Sequence, residues 1–192
     1  MTTRFKKPCA SPRHLYRRGF LKFSAAFVLT GMHSGLASAK SLSLVSERSL
    51  SLYNLHTGEN LNTVYWADGQ YIPDAIGGIN RILRDHRTGE SSQIDPLLLN
   101  LLHRIHAQLD VAQPFHIISG YRSPASNATL AATTSGVAKH SLHMDGKAID
   151  IRLPGCDLDQ LRQMALAMKA GGVGYYPESD FVHIDVGRVR SW

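Results

Sequence analysis

Ser141-Leu142-His143-Met144-Asp145-Gly146-Lys147-Ala148-Ile149-Asp150-Ile151-Arg152-Leu153 is the stretch from which the fold can be read. From Gly146 to Leu153 the residues alternate, which predicts a strand with Ala148, Asp150 and Arg152 on one face. Ile149, Ile151 and Leu153 take the other face and call for a core. A second strand, Phe181-Val182-His183-Ile184-Asp185-Val186, repeats the pattern. Phe181, His183 and Asp185 share one face there, and Val182, Ile184 and Val186 the other. If the two strands are neighbours, Asp150 and His183 open onto one cavity. His143, in the loop just before the first strand, can complete a trio.

Two imidazoles and a carboxylate are the donors of a catalytic zinc site, which takes three protein ligands and leaves a fourth position open. A single histidine in such a place is more often a hydrogen-bonded interior or surface residue. The joint pattern of His143, Asp150 and His183 is what points to a metal.

Working outward, Ser49–Leu55 and Leu61–Ala67 read as the arms of a hairpin across His56-Thr57-Gly58-Glu59. Pro73 and Asp74 open a helix with Ile76, Ile79 and Leu83 on one side, stopping near Thr88-Gly89. Asp95-Pro96 starts another, an N-cap acceptor followed by proline at the first helical position. Its stripe is Leu98, Leu101, Leu102, Ile105 and Leu109. His103 and His106 on this helix read as surface residues. Phe115–Ser119 reads as a buried strand, and the Ala/Ser/Thr-rich run from Pro124 as a short helix and loop. Asp157 caps a helix that buries Leu158, Leu161, Ala165 and Met168 and ends at Gly171-Gly172. Val173–Tyr176 and Phe181–Val186 form a second hairpin. Helices followed by short antiparallel strands predict an α+β domain with one small sheet.

The formal charge of +6 suggests nucleic acid until its distribution is seen. Seven cations and no acid lie in residues 1–39, leaving 14 Lys plus Arg against 15 Asp plus Glu, a net of −1. A near-neutral body has no electrostatic footprint for a polyanion, so nucleic acid is excluded as a partner. Residues 1–39 instead have the parts of an export signal: a basic stretch, the apolar run Phe23–Leu29, and the small residues Ala37-Ser38-Ala39. Arg17-Arg18 followed by Phe20-Leu21-Lys22 gives it a twin-arginine character. The apolar run is shorter than the roughly 20 residues a membrane span needs. Residues 40–192 are then a periplasmic domain, expected to be monomeric and without a membrane span. Its only cysteine, Cys156, reads as a small packed or loop residue.

Ser141 to Asp150 fits Ser-x-His-x-x-Gly-x-Ala-x-Asp. With Ser119-Gly120-Tyr121-Arg122-Ser123 upstream and Phe181-Val182-His183-Ile184-Asp185 downstream, the mature chain closely resembles the zinc D-alanyl-D-alanine peptidases. That family shares its fold with lysostaphin-type peptidases and the hedgehog amino-terminal domain. Asn54–Glu59, Ala170–Pro177 and Trp192 resemble its murein endopeptidase branch. The resemblance implies zinc as cofactor, His143, Asp150 and His183 as ligands, and peptidoglycan stem peptides as substrate. It implies Arg122 as a cation near the substrate, able to steady a developing oxyanion.

A general base must also take a proton from water. Asp180, three residues before His183, matches the acidic-x-x-His arrangement of the wider family; Asp185 competes, or orients a ligand. His140, Tyr121, Tyr175 and Tyr176 could contact substrate, but an exposed polar residue is the plainer reading of His140, and core or rim packing is as good a reading of the tyrosines. The leading expectation is hydrolysis of peptide crosslinks in the wall. The alternatives are a D-alanyl-D-alanine carboxypeptidase and a zinc-stabilised wall-binding module without turnover.

Overall fold

The computed structural model describes residues 47–133 and 138–192; residues 1–39, read above as an export signal, lie outside them. The first hairpin is β1 (Arg48–Asn54) and β2 (Asn60–Ala67), extended by the short β3 (Gln70–Tyr71). Helices α1 (Pro73–Ile82) and α2 (Pro96–Leu109) precede β4 (Phe115–Ser119) and α3 (Pro124–Thr133). A single 3-10 turn, Leu142–Asp145, leads into β5 (Ala148–Arg152) and α4 (Leu158–Met168). The chain then forms β6 (Gly172–Tyr176), β7 (Phe181–Asp185) and β8 (Arg190–Ser191).

Among the described residues the strands make one sheet in the order β3-β2-β1-β4-β5-β7-β6-β8. This is the expected α+β fold, but the sheet is larger than a small antiparallel one and it is mixed. β1 pairs parallel with β4, and β6 with β8. The two hairpins are joined through β4 and β5, so the site strands β5 and β7 sit side by side near the sheet's middle.

One face of the sheet is the core. Leu50 and Leu52 of β1, Phe115 and Ile117 of β4, Ile149 and Ile151 of β5, and Val182 and Ile184 of β7 are all buried. Leu98, Leu102 and Ile105 of α2 and Leu161 and Ala165 of α4 join the same cluster. Each such Val, Leu, Ile or Phe side chain withdrawn from water stabilises the fold by about 1.5–3 kcal/mol. Cys156 belongs to this core, the packed one of its two readings. The opposite face carries Asp150, Arg152, Phe181, His183 and Tyr176, and that is where the chemistry lies. None of the described helices is long and apolar enough to cross a membrane.

Two helix ends differ from their reading. Helix α1 stops at Ile82, before Thr88-Gly89. The Leu83 carbonyl is taken by the amide of Tyr121 at 2.7 Å, and the Asp85 carboxylate accepts from Arg87 N at 2.9 Å, so the helical ladder has nothing to continue on. Helix α4 ends on Lys169 in the left-handed conformation, not on a glycine. Gly171 and Gly172 serve a different purpose: a Cβ at either would overlap Asp185.

Candidate metal centre

Helix α2 and the 3-10 turn are tied together at their starts. Asp95 caps α2 by accepting from Leu97 N at 2.9 Å, while its own amide donates to Gly146 O at 2.9 Å. Gly146 closes the 3-10 turn with φ +66°, where a side chain is strained, and a Cβ there would overlap Gln93 O. This fixes the turn that carries His143, whose side chain is buried. Its Nδ1 lies 2.7 Å from Gly120 O. A carbonyl only accepts, so Nδ1 carries the proton and Nε2 presents a lone pair.

Asp150 and His183 are register partners on β5 and β7 and share the open face. His183 Nε2 lies 3.2 Å from Asp185 Oδ2 and can donate to it, which leaves Nδ1 to present a lone pair to a metal in place of the proton it would otherwise share with Asp150. The three remaining donors meet. His183 Nδ1 is 2.8 Å from Asp150 Oδ1, His143 Nε2 is 3.3 Å from the same oxygen, and the two nitrogens are 3.2 Å apart. Tetrahedral zinc with bonds of about 2.0–2.1 Å has ligand–ligand edges of about 3.3–3.4 Å. The triangle is close to one face of such a tetrahedron, and the donor set suits zinc.

The electrostatics agree with a cation at that point. Burial opposes charge on the Asp150 carboxyl, but the facing His143 and His183 rings outweigh it and hold it well below the usual carboxylate range. Burial also opposes charge on His183, and there the bonds to Asp150 and Asp185 win and raise its pKa. Both shifts mark a pocket that stabilises positive charge.

Asp185 is wholly buried and fully engaged. Its Oδ1 accepts from Gly172 N at 2.9 Å and Gly187 N at 2.8 Å, and its Oδ2 from Arg190 Nη2 at 2.6 Å as well as from His183. Of the two roles weighed for it, the geometry fits the orienting one. Arg190 has no counterpart in the sequence reading. It comes from β8, a two-residue strand too short to show periodicity, and it reaches Asp185 across the bare backbone of Gly172.

Arg122 approaches from the β4 side, with Nη2 3.9 Å from Asp150 Oδ2 and Nη1 donating to Asn127 Oδ1 at 3.4 Å. Its buried Nε has no hydrogen-bond partner among the described residues. Its backbone is clamped on both sides, since Arg122 N donates to His143 O at 3.1 Å and Ser123 N to the buried Asp85 carboxylate at 2.8 Å. Asp85, another residue with no distinguishing mark in the sequence, thus fixes the loop that presents the cation.

Asp180 ends the β6–β7 turn with φ +53°, and its Oδ2 lies 2.9 Å from Arg152 Nη1. Arg152 is two residues along β5 from Asp150, on the same face. His140 is exposed, and Tyr121 packs partly against the core. His103 and His106 are more than surface residues: His103 Nδ1 meets Ser49 O at 3.0 Å and His106 Nε2 meets Gln113 O at 2.9 Å, anchoring α2.

Known proteins are similar to this chain over most of its length. The family model described as peptidoglycan L,D-endopeptidase MepK matches residues 43–192. The peptidoglycan L,D-endopeptidase MepK of Escherichia coli strain K12 is 39% identical over 183 residues, covering 95% of this chain and 97% of that protein. The probable peptidoglycan L,D-endopeptidase MepK of Haemophilus influenzae is 37% identical over 146 residues, covering 76% of this chain and 78% of that protein.

Proposed function

The chain belongs to the family of peptidoglycan L,D-endopeptidases, and on that premise we propose that it is a zinc-dependent murein endopeptidase that opens peptide crosslinks during wall growth. It is a hydrolase, and its substrate is peptidoglycan. The observation that carries the metal dependence is the triangle of His143 Nε2, Asp150 Oδ1 and His183 Nδ1, with edges of 3.3, 2.8 and 3.2 Å. Those three residues would hold zinc, which when bound polarises a carbonyl and makes water a stronger nucleophile.

The protein's own groups do the rest. Arg122 is a permanent cation on the β4 side of the trio, with an unengaged Nε–H, suited to the negative charge that grows on the scissile carbonyl oxygen. The proton released by water needs an acceptor. Both oxygens of Asp185 are engaged, which favours Asp180, whose Oδ2 meets Arg152 Nη1 at 2.9 Å, for this role. Asp185 and Arg190 keep the His183 ring in the tautomer that presents Nδ1. One chain supplies every one of these groups, consistent with action as a monomer.

Residues 1–39 act, in this reading, as a twin-arginine signal that delivers the folded protein to the periplasm, where its substrate lies. Replacing Arg17-Arg18 by Lys-Lys should leave the protein in the cytoplasm; unchanged periplasmic recovery contradicts that route.

Incubating purified zinc-loaded protein with defined crosslinked muropeptides, with and without a chelator, tests the function. Crosslinked dimers should convert to monomers only where zinc is present. Release of a terminal D-alanine alone would make the protein a carboxypeptidase, and metal binding without any cleavage would make it a wall-binding module.

A further inference from the structure

The β6 side of the trio is walled by aromatic rings that no step above uses. Gly174 is the register partner of His183, and the Trp192 indole lies flat against it: a Cβ at Gly174 would sit 2.7 Å from Trp192 Cε2. The indole and the His183 ring are 5.2 Å apart between centroids. Backbone bonds from Trp192 N to Val173 O and from Tyr175 N to Trp192 O hold the residue on both sides. Arg190 stacks on the indole at 4.9 Å, and the indole Nε1–H donates to the Tyr176 hydroxyl at 2.7 Å. Tyr176 in turn stacks on Phe181 at 4.5 Å.

This much fixation usually buries a tryptophan, yet Trp192 is 50% exposed and Tyr176 37% exposed. A large apolar surface kept open and rigid beside a hydrolytic centre marks a place for a ligand. The phenol accepts from the indole, so its own proton is left to donate outward, and it has no acceptor among the described residues.

We infer that Trp192 and Tyr176 form the subsite for the stem-peptide residue on the β6 side of the cut bond. The exposed part of the indole packs on the aliphatic part of that residue, and the Tyr176 hydroxyl donates to one of its carbonyl or carboxylate oxygens. Gly174 is glycine because any side chain there would lift the indole off the sheet. A peptide crossing the centre would then touch Arg122 on one side and this wall on the other. The inference rests on the reading of the protein as a stem-peptide hydrolase.

Two measurements test it. Trp66 packs far from the site on β2 beneath Arg48, so in a Trp66→Phe background Trp192 is the sole tryptophan. Titrating stem tetrapeptide into that protein should change the Trp192 emission in a saturable way; no change overturns the subsite. In steady-state kinetics on crosslinked muropeptide, Trp192→Ala should raise KM about tenfold with kcat and zinc content held. Tyr176→Phe, which removes only the hydroxyl, should raise KM by a smaller factor. If Trp192→Ala instead lowers kcat and zinc content together and leaves KM alone, Trp192 merely supports His183 and the subsite is refuted. If the wild-type protein cleaves nothing, the endopeptidase reading fails, while the emission titration still decides the subsite.

Discussion

The Nε2 of His143 and the Nδ1 of His183 face each other across 3.2 Å, each with its partner nitrogen already committed as a donor. Gly120 O takes the proton of one ring and Asp185 Oδ2 that of the other. Two lone pairs and the Asp150 carboxylate therefore converge on a single point. Such an arrangement is repulsive unless a metal ion, or a proton on His183, lies at its centre, and the outer hydrogen bonds are what hold it in place.

Asp185→Asn should expose how much those outer bonds matter. The amide can no longer accept from all of Gly172, Gly187, Arg190 and His183. Zinc affinity, read by competition with a coloured chelator, should fall by about 10–100-fold with the fold retained. Wild-type affinity in this variant would mean that His183 needs no orienting partner.

Arg122→Lys separates binding of metal from stabilisation of charge. The ammonium keeps a cation near Asp150 but loses the planar set of donors. Zinc content should stay near wild type while kcat drops by about 100-fold or more. Loss of zinc in this variant would turn Arg122 into a structural support for Asp150.

Much of this was legible in the sequence, and the reason is periodicity. Asp150 and His183 each break an apolar strand at a position whose face is set by strict alternation, so their meeting follows once β5 and β7 pair. The helix caps at Asp95 and Asp157 were equally plain, since capping is local chemistry. What escaped is long-range. The parallel pairing of β1 with β4 joins segments that carry no mark of each other. Arg190 sits in a strand of two residues, and the glycines beside Asp185 look like a helix stop because glycine suits a helix end as readily as a close approach, although here α4 ends on Lys169. Asp85 is one acid among many until the fold brings Ser123 N onto it.

Gly146→Ala should be costly, although it adds one methyl group. The position needs positive φ, and the added carbon would overlap the Gln93 carbonyl. Chemical denaturation should report a loss of at least about 2 kcal/mol. A near-neutral result would show that the turn carrying His143 can shift freely.

His86 gives the protein a mild acid sensitivity away from the metal. Burial, then the charge of the stacked His56 and of Arg87, lowers its pKa from 6.5 to about 4, against a smaller opposing pull from Asp85. The unfolded chain therefore binds this proton more readily than the folded one. Its contribution to stability is intact above about pH 6.5 and is lost as pH falls toward about 4. Histidine NMR should find His86 neutral at about pH 5.5, and His86→Gln should flatten the decline in stability between those limits. An ordinary titration near 6.5 would contradict this.

The most direct test is an anomalous difference map at the zinc absorption edge, from crystals of the zinc-loaded protein. One strong peak should lie about 2.0–2.2 Å from His143 Nε2, His183 Nδ1 and an Asp150 carboxylate oxygen. A map with no peak there, or with the ion bound elsewhere, would contradict the account.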